Sequence, residues 1–232
     1  MRDIPGYLVE NKTLYVNLLE VLRRGSAQVL DGGEDGILLY EQGCGAHMMS
    51  ARDKGAFARL MAQVPEGCGL FVGHELWYKD RAAERLGLKD GQICYSAAYW
   101  KREPLPVPEF GGELRLLGQE HAEFVNEHYD DSFGGVEYIR RAIRRGMLGA
   151  FVDGELVGFA GFHEEGSIGM LEVLPGYRRR GLGEVLERGA IDLALERGQY
   201  PFGQIIEGNE ASLALQRKVG MEISEERMFW LF

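Results

Sequence analysis

Hydrophobic and polar positions along the chain switch between helical and strand periods. Residues 11–24 put Leu14, Leu18, Val21 and Leu22 on one side of a helix, with Gly25 positioned to end it. Apolar runs at 27–30, 37–40 and 46–49, separated by Asp/Gly turns, predict short strands. A helix over 54–63, a buried strand at 70–72, a helix over 76–86 and a strand over 92–100 follow. Further on, 119–129 and 136–145 read as helices. Runs at 148–152 and 156–162 flank Asp153-Gly154, a pair that accepts the positive φ angles of a tight hairpin turn. A strand at 168–174 leads to a helix over 182–197, with Leu182, Val185, Leu186, Ala190, Leu193 and Ala194 at helical spacing. A strand at 204–206, a helix from the Asn209 cap to the Gly220 stop, and a strand at 227–232 complete the order.

This order predicts an α+β protein whose C-terminal half is a mixed central sheet flanked by helices. Three prolines, Pro104, Pro106 and Pro108, mark an extended connector. The expected domains are 1–108, an α+β support unit, and 109–232. Charge divides the same way: 13 basic and 14 acidic side chains before the connector's end, 13 and 22 after it. The net charge of -10 over 232 residues argues against a general nucleic-acid binder, which needs a basic face. No apolar run approaches the roughly 18 residues of a membrane helix, and the N-terminus lacks a signal-peptide core, so a cytoplasmic protein is expected. Cys44, Cys68 and Cys94 make no C-x-x-C pair and read as small buried side chains or free thiols. The five histidines lack ligand spacing, so no metal site is expected.

The segment richest in chemistry runs from Leu171 through Glu172, Val173, Leu174, Pro175, Gly176, Tyr177, Arg178, Arg179, Arg180, Gly181 and Leu182 to Gly183. A strand ends, a basic turn with glycines follows, and a helix starts within it. The first turn of a helix carries N–H groups without internal partners and the positive end of the dipole, which suits an anion. Gly181 and Gly183 remove side chains that would hold a ligand off those amides. The arginines add charge and bidentate donors for phosphate. A solvated Arg-rich turn explains the same composition without a ligand. Neither G-x-G-x-x-G nor G-x-x-x-x-G-K-[ST] occurs.

Val173, Pro175, Arg178, Gly181 and Gly183, read as V-x-P-x-x-R-x-x-G-x-G, resemble the acyl-CoA motif of the GNAT superfamily of N-acetyltransferases. The run from Asn209 to Met221 resembles that family's N-x-x-[AS]-x-x-L-Y-x-K-x-G-F segment, with Ser212 at its small position. The resemblance covers about 111–232, and its nearest form is the glycine N-acyltransferase-like, two-domain type, which implies a smaller degenerate GNAT-like N-terminal domain. It implies an acyl-CoA co-substrate, most simply acetyl-CoA, and a small-molecule amine acceptor that attacks the thioester directly. The backbone of Glu172, Val173 and Leu174 would pair with the pantetheine arm. Amides from Arg178 to Gly183 would hold the pyrophosphate. Asn209 would line the cleft, cap its helix, or both.

Gln216 stands where the family carries the tyrosine that protonates the leaving thiolate, and an amide supplies no proton at neutral pH. Glu172 is the favoured base, with His163, Glu164 and Glu165 at the end of the preceding strand. The family's glutamate would align near Ser167. A non-catalytic acyl-CoA-binding module is the alternative. Glu127, Asp130 and Asp131, before Gly134-Gly135, are candidates for an acceptor ammonium. Arg140, Arg141, Arg144 and Arg145 read as a solvated helix face, His121 and His128 as surface positions, and the aromatic end at 228–232 as a core strand or an interface.

Overall fold

The computed structural model describes residues 4–129 and 134–232. Asp130 and Asp131 lie outside them. In chain order the elements are α1 (Gly6–Glu10), α2 (Val16–Arg24), β1 (Ala27–Gly33), β2 (Gly36–Glu41), β3 (His47–Ala51), α3 (Lys54–Met61), β4 (Phe71–Gly73), α4 (Lys79–Leu86) and β5 (Gly91–Ala98). Then come β6 (Glu113–Leu116), α5 (Ala122–His128), α6 (Gly135–Gly146), β7 (Leu148–Val152), β8 (Glu155–Phe162), β9 (Ile168–Val173), α7 (Leu182–Glu196), β10 (Phe202–Ile206), α8 (Glu210–Lys218) and β11 (Glu222–Leu231). Among the described residues no helix is long and apolar enough to cross a membrane.

The chain forms two compact units. Unit one holds Met1–Ala98, Gln204–Ser212 and Glu222–Phe232; unit two holds Tyr99–Gly203 and Leu213–Met221. The stretch 109–232 therefore does not stay together, because it sends its last strand into unit one. Strand pairing explains this. β11 runs antiparallel to both β4 and β5, with Phe229 opposite Gly73 and Ile93. Phe229 is fully buried with Phe71, Tyr78 and Leu60. The aromatic end is thus a core strand of unit one. β1, β2 and β3 form an antiparallel meander, and β3 runs parallel to β4 across the α3 crossover.

In unit two, β6, β7, β8 and β9 are antiparallel neighbours, and β9 meets β10 in parallel. Parallel neighbours need a crossover, which α7 supplies. The β7–β8 turn has Asp153 at φ 53° and Gly154 at φ 85°, as the dipeptide foretold. α5 and α6 bury Val125, Ile139, Ala142 and Ile143 with Phe159 and Met170 of the sheet. α7 buries Leu182, Val185, Leu186, Ala190 and Ile191 on its sheet-facing stripe.

Candidate functional site

β9 and β10 are joined at Ile168↔Gly203, near the start of each strand. Beyond that pair, β9 stays bonded to β8 along its other edge. Leu174 N donates to Val157 O at 2.9 Å, so strand alternation turns the N–H and C=O of Val173 to the edge away from β8. Two side chains of the motif occupy those groups. Val173 N donates to Glu172 Oε1 at 3.1 Å, and Arg178 Nε donates to Val173 O at 2.9 Å. The ring closes through Arg178 Nη2 and Glu172 Oε1 at 2.8 Å. Glu172, Val173 and Arg178 are thereby brought together, with the Glu172 carboxylate tied into the loop.

Leu174 follows Val173 and leads into a single turn of 3-10 helix over Pro175–Tyr177. Arg178, Arg179, Arg180 and Gly181 are exposed, and the Arg180 guanidinium lies 5.2 Å from the Tyr177 ring centre. Arg179 has φ 63° and Gly181 φ 84°, so the chain enters α7 through two left-handed residues, a geometry that gathers successive N–H groups toward one side. Gly181 makes no side-chain cap. The first intrahelical bond is Val185 N to Gly181 O, leaving the N–H groups of Leu182, Gly183 and Glu184 without helical acceptors. A Cβ at Gly181 would meet nothing within 4 Å, so it would point into open space in front of those amides. A Cβ at Gly183 would meet Leu215 of α8 at 3.8 Å, an ordinary contact, so the packing of α8 on α7 does not itself demand a glycine there.

The remaining predicted residues sit apart from this loop. Asn209 Oδ1 accepts from Ser212 N at 3.0 Å, which makes Asn209 the N-cap of α8. Gln216 is buried, and its Nε2 donates to Glu187 Oε1 at 3.1 Å while its own Oε1 lacks a partner. Glu187 is fully buried on α7, and burial pushes its carboxyl up to about 7 despite the amide bond. The neighbouring charges pair among themselves: Glu184 bonds Arg188 at 2.9 Å and Lys218 at 2.6 Å. Sequence reasoning missed Glu187 because a glutamate inside an amphipathic stripe looks like its polar margin.

Two more features escaped it. Met170, at φ 52°, sits where β9 slips register against β8. A left-handed non-glycine residue in a strand costs on the order of 1–3 kcal/mol, and strain of this kind collects at working sites. At the end of β8, His163 Nδ1 lies 2.7 Å from Tyr138 Oη of α6. The adjoining turn bonds Ser167 Oγ to Glu165, and both are buried. Glu164 pairs with Arg141 at 3.1 Å and Arg145 at 3.5 Å, while Arg140 pairs with Glu123 and Glu137, so these three arginines are ion-paired. His128 Nδ1 meets Phe124 O and His121 meets Glu120. Among the described residues no three histidine, cysteine or carboxylate side chains gather as a metal site. Burial raises the thiols of Cys68 and Cys94, the latter to about 12, which makes them poor nucleophiles.

Residues 114–221 match the family model described as the Acetyltransferase (GNAT) family. No curated protein matches the chain significantly in sequence. Solved structures share its fold. A Drosophila protein superposes with a TM-score of 0.71 at 19% identity, covering 97% of this chain and 93% of its own. A GCN5-related N-acetyltransferase from Kribbella flavida gives 0.57 at 15%, covering 100% and 96%. A GCN5-related N-acetyltransferase-like protein from Streptococcus suis gives 0.54 at 17%, covering 94% and 93%.

Proposed function

We propose that the protein is an acyl-CoA-dependent N-acyltransferase, most simply using acetyl-CoA, that acylates a small-molecule amine by direct attack on the thioester. The observation that carries this reading is the uncapped start of α7 behind an Arg-rich loop, continuous with a strand whose edge groups at Val173 are held only by side chains. The pyrophosphate takes the amides from Arg178 to Gly183, with Arg179 and Arg180 adding charge. The pantetheine amide replaces Glu172 and Arg178 at Val173, in the manner of an added strand, and Leu174 borders its path. Arg178 is then released toward the phosphates.

Glu172 on this account orders the loop in the unliganded chain. Gln216 stands on α8, with Asn209 and Ser212 at the helix start, on the thiol side of the site. The first half is a degenerate copy of the second, in the manner of two-domain glycine N-acyltransferase-like proteins. The β2–β3–α3–β4 run, antiparallel then parallel, repeats the pairing of β8–β9–α7–β10 and supports that reading.

A second reading, a non-catalytic acyl-CoA-binding module, is favoured by one observation: Gln216 turns to Glu187 and offers no acid. One experiment separates the two. Thiol release from acetyl-CoA is followed with glycine, putrescine and benzylamine, alongside calorimetric binding of acetyl-CoA. Binding with amine-dependent thiol release supports the enzyme, binding alone supports the module, and no binding rejects both.

A further inference from the structure

Resting on the acyltransferase reading above, we propose that His163 is the general base: its Nε2 takes the proton from the acceptor amine, and Tyr138 holds the ring. His163 directly follows β8 in a tight turn, donating its N–H to Ser167 O at 2.9 Å and accepting from Gly166 N at 3.1 Å. Tyr138 reaches its Nδ1 from α6 at 2.7 Å. The opposite end of the ring lies over β9. A Cβ at Gly169 would strike Nε2, so a glycine there is what lets the imidazole rest on the strand backbone. The next residue is Met170, the left-handed bulge. Nε2 therefore sits beside the distortion in the same strand whose Val173 edge receives the pantetheine.

Both His163 and Gly169 are half-buried, which leaves the imidazole open to a small ligand. Among the described residues Nε2 has no hydrogen-bond partner, whereas the other basic groups nearby are engaged. Glu164 pairs with Arg141 and Arg145, and Glu165 accepts from Ser167 Oγ. The charged groups around the dyad are Arg141 and Arg145, each with its guanidinium 5.9 Å from the Tyr138 ring centre, and the two turn glutamates. The base role requires Nδ1–H to donate to Tyr138 Oη at this contact, the tautomer that leaves the Nε2 lone pair free.

The step balances without a further reactant. The amine nitrogen attacks the thioester carbonyl carbon and forms the C–N bond. Nε2 accepts the proton from that nitrogen. The C–S bond breaks with the electron pair on sulfur, and the imidazolium returns its proton through water to the thiolate. An imidazole suits this exchange because one ring nitrogen can accept a proton while the other stays hydrogen-bonded.

The test follows thiol release against pH for wild type, His163→Gln and Tyr138→Phe, with acetyl-CoA and whichever of glycine, putrescine and benzylamine reacts. Calorimetry gives acetyl-CoA affinity, and melting temperature reports folding. His163→Gln is expected to lower kcat by about 100-fold, keep acetyl-CoA affinity within about two-fold, and abolish the inflection on the acid side of the profile. Tyr138→Phe, which keeps the ring packing, is expected to lower kcat by about ten-fold and move that inflection. A folded His163→Gln with wild-type rate and profile overturns the proposal. If that variant does not fold, an unmoved inflection in Tyr138→Phe overturns it instead. Wild type that binds acetyl-CoA but releases no thiol with any of the amines removes the acyltransferase reading itself, and this proposal with it.

Discussion

The crossovers β3-to-α3 and β9-to-α7 occupy the same place in two similar strand pairings and solve one electrostatic problem oppositely. In unit one, two residues, Arg52 and Asp53, link strand to helix, and Asp53 Oδ1 accepts from Ala56 N at 2.9 Å. The positive end of α3 already carries its anion, covalently supplied. In unit two the link is eight residues long, ends at a left-handed glycine, and leaves the first turn of α7 uncapped. Helix ends of equal polarity become a closed structural joint in one case and, on the proposed function, a receptor for a foreign anion in the other. The difference is one carboxylate and one loop length.

The largest expected effect comes from making the second crossover resemble the first. Gly181→Asp places a carboxylate before the open amides and a Cβ on a left-handed residue. Acetyl-CoA affinity should fall by about 1000-fold, about 4 kcal/mol, in a calorimetric titration. The added Cβ has open space around it, so the fold should lose only the strain, on the order of 1 kcal/mol. Retained affinity would break the anion-site half of the comparison.

Next in size is the buried carboxyl under the second crossover. Burial raises Glu187 from 4.5 to about 7, so between those values the unfolded chain ionises while the folded one stays protonated. The folded state then binds more protons, and stability falls as pH rises through that window, by about 3 kcal/mol in all, without recovery above it. Glu187→Gln should erase this slope, and its urea midpoint should exceed that of wild type at pH 8. A protonated Glu187 can also donate to the unpartnered Gln216 Oε1, which an ionised one cannot. An unchanged pH slope in the variant would remove Glu187 as its source.

The smallest effect tests the closed joint. Asp53→Ala should cost about 1 kcal/mol of stability by urea denaturation, the usual worth of an N-cap, and leave acetyl-CoA affinity unchanged. A loss of affinity would mean that the first crossover takes part in binding.

Much of the second crossover was legible in the sequence because it depends on residues adjacent in the chain. Pro175, the arginines, Gly181 and Gly183 announce a turn that enters a helix, and Asp153-Gly154 announces the hairpin before it. Long-range pairings were not legible. β6 is an exposed edge strand whose Glu113 and Arg115 read as loop, and β11 begins in the acidic run from Glu222, where pairing with β5 overrides weak strand propensity. Nothing local to Met170 signals a left-handed residue, since the glycine beside it, Gly169, is not the residue that adopts the positive φ. Gln216 and Glu187 are 29 positions apart, and only the packing of α8 on α7 joins them. The destination of β11 is likewise decided by which core Phe229 fills.

The Glu172–Val173–Arg178 ring has a consequence for the protein when it is alone. An exposed strand edge with bare N–H and C=O groups is a template on which another chain can grow, and aggregation begins at such edges. Here the donor and acceptor of Val173 are both occupied by charged side chains, Glu172 of β9 and Arg178 of the loop, which an incoming strand must first displace. The motif proposed to bind a nucleotide thus acts as its own gatekeeper, guarding the edge against pairing with a second copy.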